Sequence, residues 1–405
     1  MMSSFFRQKG ITLVELMVAA LIGLFSMYAV YRVYEGTERM KRNVISVGDA
    51  QVAGLYSLFV LEHDIKSAGA GMMIPLDANG DAGNGALLAH CANDGNVWGT
   101  KAGTMGTPKK KTTAILSLRP IPVLIVPNRT NFDDIFIFSG HSSFHVDPLA
   151  VTASDGSMTT ITTPFGLKEE DVLIDTMTQA GAPPTALADC QAYLVSKAPK
   201  SKGFYPADAI SDTVTVPLEG KADAPAFHHR LVDLGVPVRR HFYVDDKNTL
   251  QMEEWRLNST TSNPDGGGGV WVLARTDPLV EGVVSLRAMY GIGAVTAHKG
   301  VSGNNVIGPA NQWVLAEAPW NAEAILNAPL DTIRQIKAVW LSVIIKADEP
   351  EFDRDVAAAL PTTFKQFSAC PQGTACPSSV EASLSAGSRY RMVETVVPLV
   401  NTIQN

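Results

Sequence analysis

The first ten residues, MMSSFFRQKG, carry Arg7 and Lys9, and the chain then turns apolar at once from Ile11 to Tyr31. A helix rising about 1.5 Å per residue needs roughly 20 such residues to cross the hydrocarbon core of a bilayer, so this run is long enough to span one. It is too long for the apolar stretch of an ordinary secretory signal. Such a signal would also place small residues after the stretch, where Arg32, Val33, Tyr34 and Glu35 stand here. Any cleavage therefore belongs before the apolar run.

The helical pattern continues beyond the apolar run. No proline precedes Pro75, although the chain has 24. Val44, Val47, Leu55, Leu58, Phe59 and Ile65 recur at roughly helical spacing and are expected to lie against a globular head, leaving Arg42, Asp49, Gln51, His63 and Lys66 polar. A continuous helix from Ile11 to about Ser67 would approach ~85 Å. Gly23, Gly36, Gly48 and Gly54 lower its intrinsic stability and permit bending, and Ser67-Ala68-Gly69-Ala70-Gly71 ends it.

Past residue 70 the pattern is that of strands and turns. Asp134–Ser139, Asp171–Met177, Gln191–Lys197 and Asp212–Leu218 are short apolar or alternating runs between Gly, Pro and Asp clusters. The clearest hairpin joins Val236–Val244 to Thr249–Leu257. Pro237 in its first arm implies an edge strand or a later start. Asn263–Gly269 is a flexible loop, and Val283–Ile292, Ile336–Lys346 and Arg389–Val400 read as long strands, the middle one buried.

Glu15 breaks the apolar pattern. An unpaired charge in lipid costs about 2.5–3.5 kcal/mol at the bilayer centre and less near an end, so a partner is expected. Lys9-Gly10-Ile11-Thr12-Leu13-Val14-Glu15-Leu16 resembles the class III signal sequence of type IV prepilins and pseudopilins. The resemblance implies that a dedicated membrane peptidase cuts after Gly10 and methylates Ile11. Glu15 is then the fifth mature residue, which in that family pairs with the N-terminal ammonium of a neighbouring subunit. Ile11 stands where Phe is commoner in major pilins.

The order of Ser67-Ala68-Gly69, Leu279–Val283 with Tyr290-Gly291, Ile336–Val339 and Thr395–Asn401 is similar to that of PilW-like minor pilins. These segments cover about a third of the chain, and residues 75–230 read as an elaborated insertion on the head. The fold implied is α+β and pilin-like, a long N-terminal helix packed on an antiparallel sheet. Residues 1–10 would be a leader, 11–32 the transmembrane and filament-core half of the helix, 33–70 the half on the head, and 71–405 a β-rich periplasmic or extracellular head.

The implied role is non-catalytic: a minor pilin in the initiation or tip complex of a type IV pilus, held in the inner membrane before assembly and at the cell surface after it. Its partners would be other minor pilins, the major pilin, prepilin peptidase, the inner-membrane assembly platform and a tip adhesin. The alternatives are a J-type pseudopilin of type II secretion and a membrane-tethered surface-binding protein or adhesin. Length favours the pilus subunit, since those pseudopilins have smaller heads.

Composition narrows the remaining chemistry. A formal charge of -7, with 33 Lys and Arg against 40 Asp and Glu, argues against nucleic acid as a partner. Lys109-Lys110-Lys111, with no aromatic residue near it, reads as a solvated loop. Four cysteines, Cys91, Cys190, Cys370 and Cys376, suit an exported domain with two disulfides. The short Pro/Gly loop between Cys370 and Cys376 could close on itself and leave Cys91 for Cys190, with the other two pairings open. No CxxC and no His at ligand spacing supports zinc.

Asp77, Asn79 and Asp81 alternate as in a calcium loop, but Ala82 stands where that loop needs Gly and Leu88 where it needs Glu. An Asx/Gly-rich turn is the plainer reading, and no cofactor is expected, calcium at these three residues being the sole candidate. His141 with His145 and His228 with His229 are the close histidine sets, without the helix a metal pair would need. Gly140-His141-Ser142-Ser143 and Gly291-Ile292-Gly293 each lack the last glycine of a catalytic or dinucleotide motif. Trp271, Trp313, Trp320 and Trp340 read as core or interface anchors.

Overall fold

The computed structural model describes residues 12–72, 100–101, 119–140, 149–154, 158–161, 167–168, 171–176, 190–195, 214–219, 230–258, 270–297, 305–348, 354–377 and 379–402. One helix, α1 (Leu13–Ser67), runs without interruption through all four of its glycines. The sheet of the head begins with β1 (Thr100–Lys101), β2 (Val123–Arg129) and β3 (Phe132–Ser139). Six strands then leave it: β4 (Leu149–Ser154), β5 (Met158–Ile161), β6 (Val172–Thr176), β7 (Cys190–Val195), β8 (Val214–Glu219) and β9 (Arg230–Asp233). They close as an antiparallel barrel in the order β4-β5-β8-β7-β6-β9.

The chain returns to the sheet as β10 (Val238–Val244), β11 (Leu250–Asn258), β12 (Val270–Val280), β13 (Val283–Ala297), β14 (Asn305–Leu315) and β15 (Ile336–Lys346). A separate hairpin, β16 (Thr363–Gln366) with β17 (Val380–Ser383), precedes the last strand, β18 (Tyr390–Pro398).

The spatial order is β1-β12-β11-β10-β3-β13-β15-β18, with β2 beside β3 and β14 beside β13. The sheet is mixed: β1 with β12 and β3 with β13 are parallel, and the other pairs antiparallel. The barrel is an insertion between two neighbouring strands, since β3 ends where β10 begins, Ser139 opposite Val238. β10 starts just after Pro237 and lies inside the sheet, so the proline marks a late start and no edge.

β3 and β13 share one register pair, Phe132 with Leu286, where the Leu286 N–H donates to Asn131 O at 3.0 Å, and side chains extend the seam. The Ala288 N–H donates to Asp133 Oδ2 at 2.9 Å and Arg287 Nη1 lies 3.2 Å from Asp133 Oδ1. The Ile125 N–H donates to the Tyr290 hydroxyl oxygen at 2.6 Å.

α1 packs across β18, β15 and β12, and the stripe it buries is Ser46, Ala50, Gly54, Ser57, Leu58, Leu61, Asp64 and Ile65. This differs from the apolar face expected from spacing, because Val44, Leu55 and Phe59 point to solvent at 66%, 54% and 67% exposure. Small residues let the helix approach the sheet closely: a Cβ on Gly54 would sit 2.8 Å from Val393 Cγ2. The size of the side chains toward the sheet, and not only their polarity, chose the buried face.

At the helix exit the Gly69 N–H donates to Phe138 O and the Gly140 N–H to Ala70 O, at 2.9 and 2.7 Å. The Asn401 side-chain amide donates to Lys66 O and Ala68 O at 3.2 and 3.1 Å, so the end of the chain satisfies carbonyls that the helix terminus leaves open.

On the opposite face of the sheet, β16 and β17 cover β13, β15 and β18. Gln366 is wholly buried there, accepting from Ser285 Oγ at 3.1 Å and donating to Ser342 Oγ at 3.0 Å. Trp313, Trp340 and Phe367 pack beside it as core side chains.

Candidate functional site

Every residue from Thr12 to Tyr34 is exposed, including Leu13 at 75%, Phe25 at 74% and Met27 at 73%. Among the described residues, nothing in the head touches this half of α1. It is the one described helix long and apolar enough to cross a membrane. Thr12 is its N-cap, in extended backbone, with its Oγ1 accepting the Glu15 N–H at 3.3 Å. Thr12-Leu13-Val14-Glu15 therefore has the spacing of a capping box, with a carboxylate in the first turn where the helix dipole favours negative charge. From the sequence, Glu15 is a charge out of place in an apolar run and, by resemblance, a partner for a neighbour's N-terminal ammonium. Its position also gives it a local structural role.

The apolar surface ends in an aromatic and basic belt. The Arg32 guanidinium donates through Nε to the Tyr28 hydroxyl at 2.9 Å and lies 5.3 Å from the centre of that ring. Tyr31 and Tyr34 follow, and Glu35 pairs with Arg39 at 2.5 Å. Amphipathic rings at the edge of an apolar run suit the boundary between lipid and water.

The other half of the helix is fastened to the head by charge as well as by packing. Asp64, on the buried stripe, lies 2.7 Å from Arg240 of β10. Arg240 also approaches Glu254 of β11 at 3.5 Å, and Glu254 is 2.6 Å from Arg256 and 3.1 Å from Arg275. Burial alone would raise the Glu254 pKa. The Arg256 hydrogen bond and the charges of Arg256, Arg275 and Arg240 overcome it and hold that carboxyl below its usual range. Desolvation raises Asp64, against the lowering charge of Arg240. The hairpin register sets Arg240 opposite Glu254, a pairing that spacing along a single strand does not reveal.

Of the other residues singled out from sequence, Cys370 and Cys376 are disulfide-bonded, with Cα atoms 6.0 Å apart. Their loop lies along β14, where the Trp313 N–H donates to Ala375 O at 2.8 Å and the Ala375 N–H to Asn311 O at 2.9 Å. Cys190 begins β7, while Cys91 lies outside the described residues. So do Gly10 and Ile11, the calcium candidates Asp77, Asn79 and Asp81, both histidine pairs and the three-lysine run. Among the described residues no group of His, Cys, Asp and Glu is placed to hold a metal ion.

Comparison with known families adds one finding. Residues 5–31 match the prokaryotic N-terminal methylation motif, a span that reaches the tyrosine belt. No curated protein and no solved structure matches the chain. The motif supports a type IV pilin-like or pseudopilin role and implies processing by prepilin peptidase and assembly with other pilins. With the bare apolar helix it is consistent with a membrane-anchored pilin.

Proposed function

We propose that the chain is a minor pilin, cleaved between Gly10 and Ile11, methylated at Ile11, and drawn from the inner membrane into the initiation or tip complex of a type IV pilus. The observation that carries this reading is the division of α1 into a half that, among the described residues, has no contact to its own head and a half clamped to it. An apolar helix exposed on all sides is stable in lipid, and on leaving lipid it needs other apolar helices around it. Glu15 supplies a charge that meets the new N-terminal ammonium of a neighbour, neutralising two groups that are each costly when buried alone.

Past the belt, Val44, Val52, Leu55, Tyr56 and Phe59 keep an apolar stripe on the outward side of α1. This supports packing against neighbouring pilin helices along the whole length of the rod. The role is structural and interactive, with other minor pilins, the major pilin, the assembly platform and a tip adhesin as partners.

The test is intact mass of the chain from cells with and without prepilin peptidase, together with the fraction in which the mature form is found. Loss of residues 1–10 and addition of one methyl group, with the mature chain in sheared pili, is expected. An unchanged mass, or a cut beyond Tyr31, would sink the reading. Processing without recovery in pili, in cells that need the chain for protein secretion, would favour the pseudopilin.

A further inference from the structure

The face of the sheet turned away from α1 carries a second buried charge cluster, separate from the helix clamp. His241 of β10 is 4% exposed, with Nε2 at 3.4 Å from Asp134 Oδ2 of β3 and Nδ1 at 3.3 Å from Glu253 Oε2 of β11. Its ring stacks between Phe136, at 4.2 Å and 2° between planes, and Tyr243, at 4.7 Å and 22°. Both carboxylates have further donors. Asn128 Nδ2 lies 3.2 Å from each Asp134 oxygen, and Glu253 accepts from Tyr243 Oη at 3.3 Å and Trp255 Nε1 at 3.2 Å. On this face of β10 the other charged group is Arg239, whose guanidinium lies over the Trp271 and Phe138 rings at 4.5 and 5.3 Å, while Arg240 turns to the other face and Asp64 of α1.

We propose that His241 is a pH-sensitive clasp which, when protonated, ties β3, β10 and β11 together at the root of the inserted barrel. An imidazolium carries a proton toward each carboxylate, with Nδ1 hydrogen-bonded to Glu253 and Nε2 paired by charge with Asp134, and leaves one net negative charge in the cluster. A neutral ring has one donor, so one carboxylate faces a lone pair and two negative charges remain buried near each other. The strands concerned are the ones between which the barrel leaves and re-enters the sheet, with His241 opposite Phe136 on one side and Glu253 on the other.

Burial by itself would lower the His241 pKa. The hydrogen bonds and charges of Asp134 and Glu253 outweigh it and raise the value above that of free histidine. For a base raised in the folded state, the stabilisation is complete below the unfolded pKa and is lost as pH rises through the folded one.

The useful window lies above the range where Asp133 and Asp171 titrate, since burial has pushed both up to about 6. It also lies below the range of Lys337, which burial has lowered to about 8 and which acts in the opposite sense.

The experiment is amide hydrogen exchange on the full chain in detergent micelles, corrected for intrinsic rates, at about pH 6.5 and about pH 7.5, short of the range in which Lys337 titrates. The wild type should lose protection in peptides covering β3, β10 and β11 while those covering β15 and β18 hold. Glu253→Gln keeps an acceptor for the ring but removes one charge, and the pH-dependent loss should shrink severalfold. His241→Gln should remove it, and Glu253→Gln decides the matter if that variant does not fold. Equal losses in wild type and Glu253→Gln, or a loss shared by β15 and β18, would overturn the proposal.

Discussion

The two halves of α1 are one continuous helix, yet opposite rules govern them. From Thr12 to Tyr34 every residue is exposed and nearly all are apolar, so this half has no reason of its own to prefer water. From Ser46 to Ile65 the helix buries a stripe that begins with small residues, Ser46, Ala50, Gly54 and Ser57, and ends in Leu61, Asp64 and Ile65. The bare half is selected by its environment, and the packed half by the shape of its own head. Apolar residues therefore carry opposite meanings along one rod: in the packed half the bulky ones largely face outward and the small ones inward.

The change with the largest expected effect acts on the bare half. Glu15→Ala removes both the charge and the acidic member of the Thr12 capping box. Glu15→Gln removes the charge and keeps a side chain able to complete the box. Both variants should reach the membrane and be cleaved normally, since less charge makes the segment more apolar. If the carboxylate meets a neighbour's ammonium, recovery in sheared pili should collapse for both. If its part is to cap the helix, Glu15→Gln should assemble like the wild type, and the filament role assigned to Glu15 falls.

On the packed half the corresponding change is Asp64→Ala. It strands Arg240 beside the sheet, and breaking a buried pair from one side costs about 3–5 kcal/mol. The low end is expected, because Arg240 keeps Glu254 as a neighbour. Denaturant unfolding of the full chain in micelles measures it, with processing at Gly10 unaffected. A change under about 1 kcal/mol, the worth of a surface pair, would mean that packing alone seats the helix.

Two glycines sharpen the contrast at a smaller scale. Nothing lies within 4 Å of a Cβ built on Gly48, whereas one on Gly54 meets Val393 at 2.8 Å. Gly48→Ala should therefore stabilise the chain by up to about 1 kcal/mol through helix propensity. Gly54→Ala gains the same propensity but crowds a tight contact, which typically costs about 1–3 kcal/mol, so a net loss of about 1 kcal/mol is expected. Equal effects at the two sites would show that α1 does not rest on β18 as closely as the contact implies.

What the sequence revealed of this molecule follows the strength of its periodic signals. The uninterrupted helix, its end near Ser67, and the strands at 132–139, 238–244 and 336–346 were legible because apolar runs, turn residues and the absence of proline agree there. The motif around Gly10, Ile11 and Glu15 was legible because its neighbours along the chain define it. The barrel strands were only partly legible: β6, β7 and β8 have apolar runs, but the closure that makes β4 and β9 neighbours is a long-range fact. The helix clamp and the His241 cluster were hidden for the same reason, since Asp64, Arg240 and Glu254, or Asp134, His241 and Glu253, meet only through strand pairing. Val44, Leu55 and Phe59 were read as facing the head because spacing identifies an apolar stripe without saying which way it turns.

The smallest expected change in stability falls on that outward stripe, and it bears on the comparison most directly. Phe59 is 67% exposed on a helix that is otherwise clamped to the head. If the stripe is only a tolerated surface, Phe59→Ser should be silent in every assay. If it continues the subunit contacts of the bare half, the folded monomer should still be nearly unchanged, within about 0.5 kcal/mol, because no contact within the head is lost. Recovery in pili should nevertheless fall, and further when Val52→Ser is added on the same side. Thr, Ser and Ala changes at buried Leu61 would not separate the two cases, since a cavity there costs about 2–5 kcal/mol and weakens the head itself. Unchanged stability with reduced assembly would extend the contact surface from Leu13 past the tyrosine belt to Phe59. Unchanged stability with unchanged assembly would confine it to the bare half.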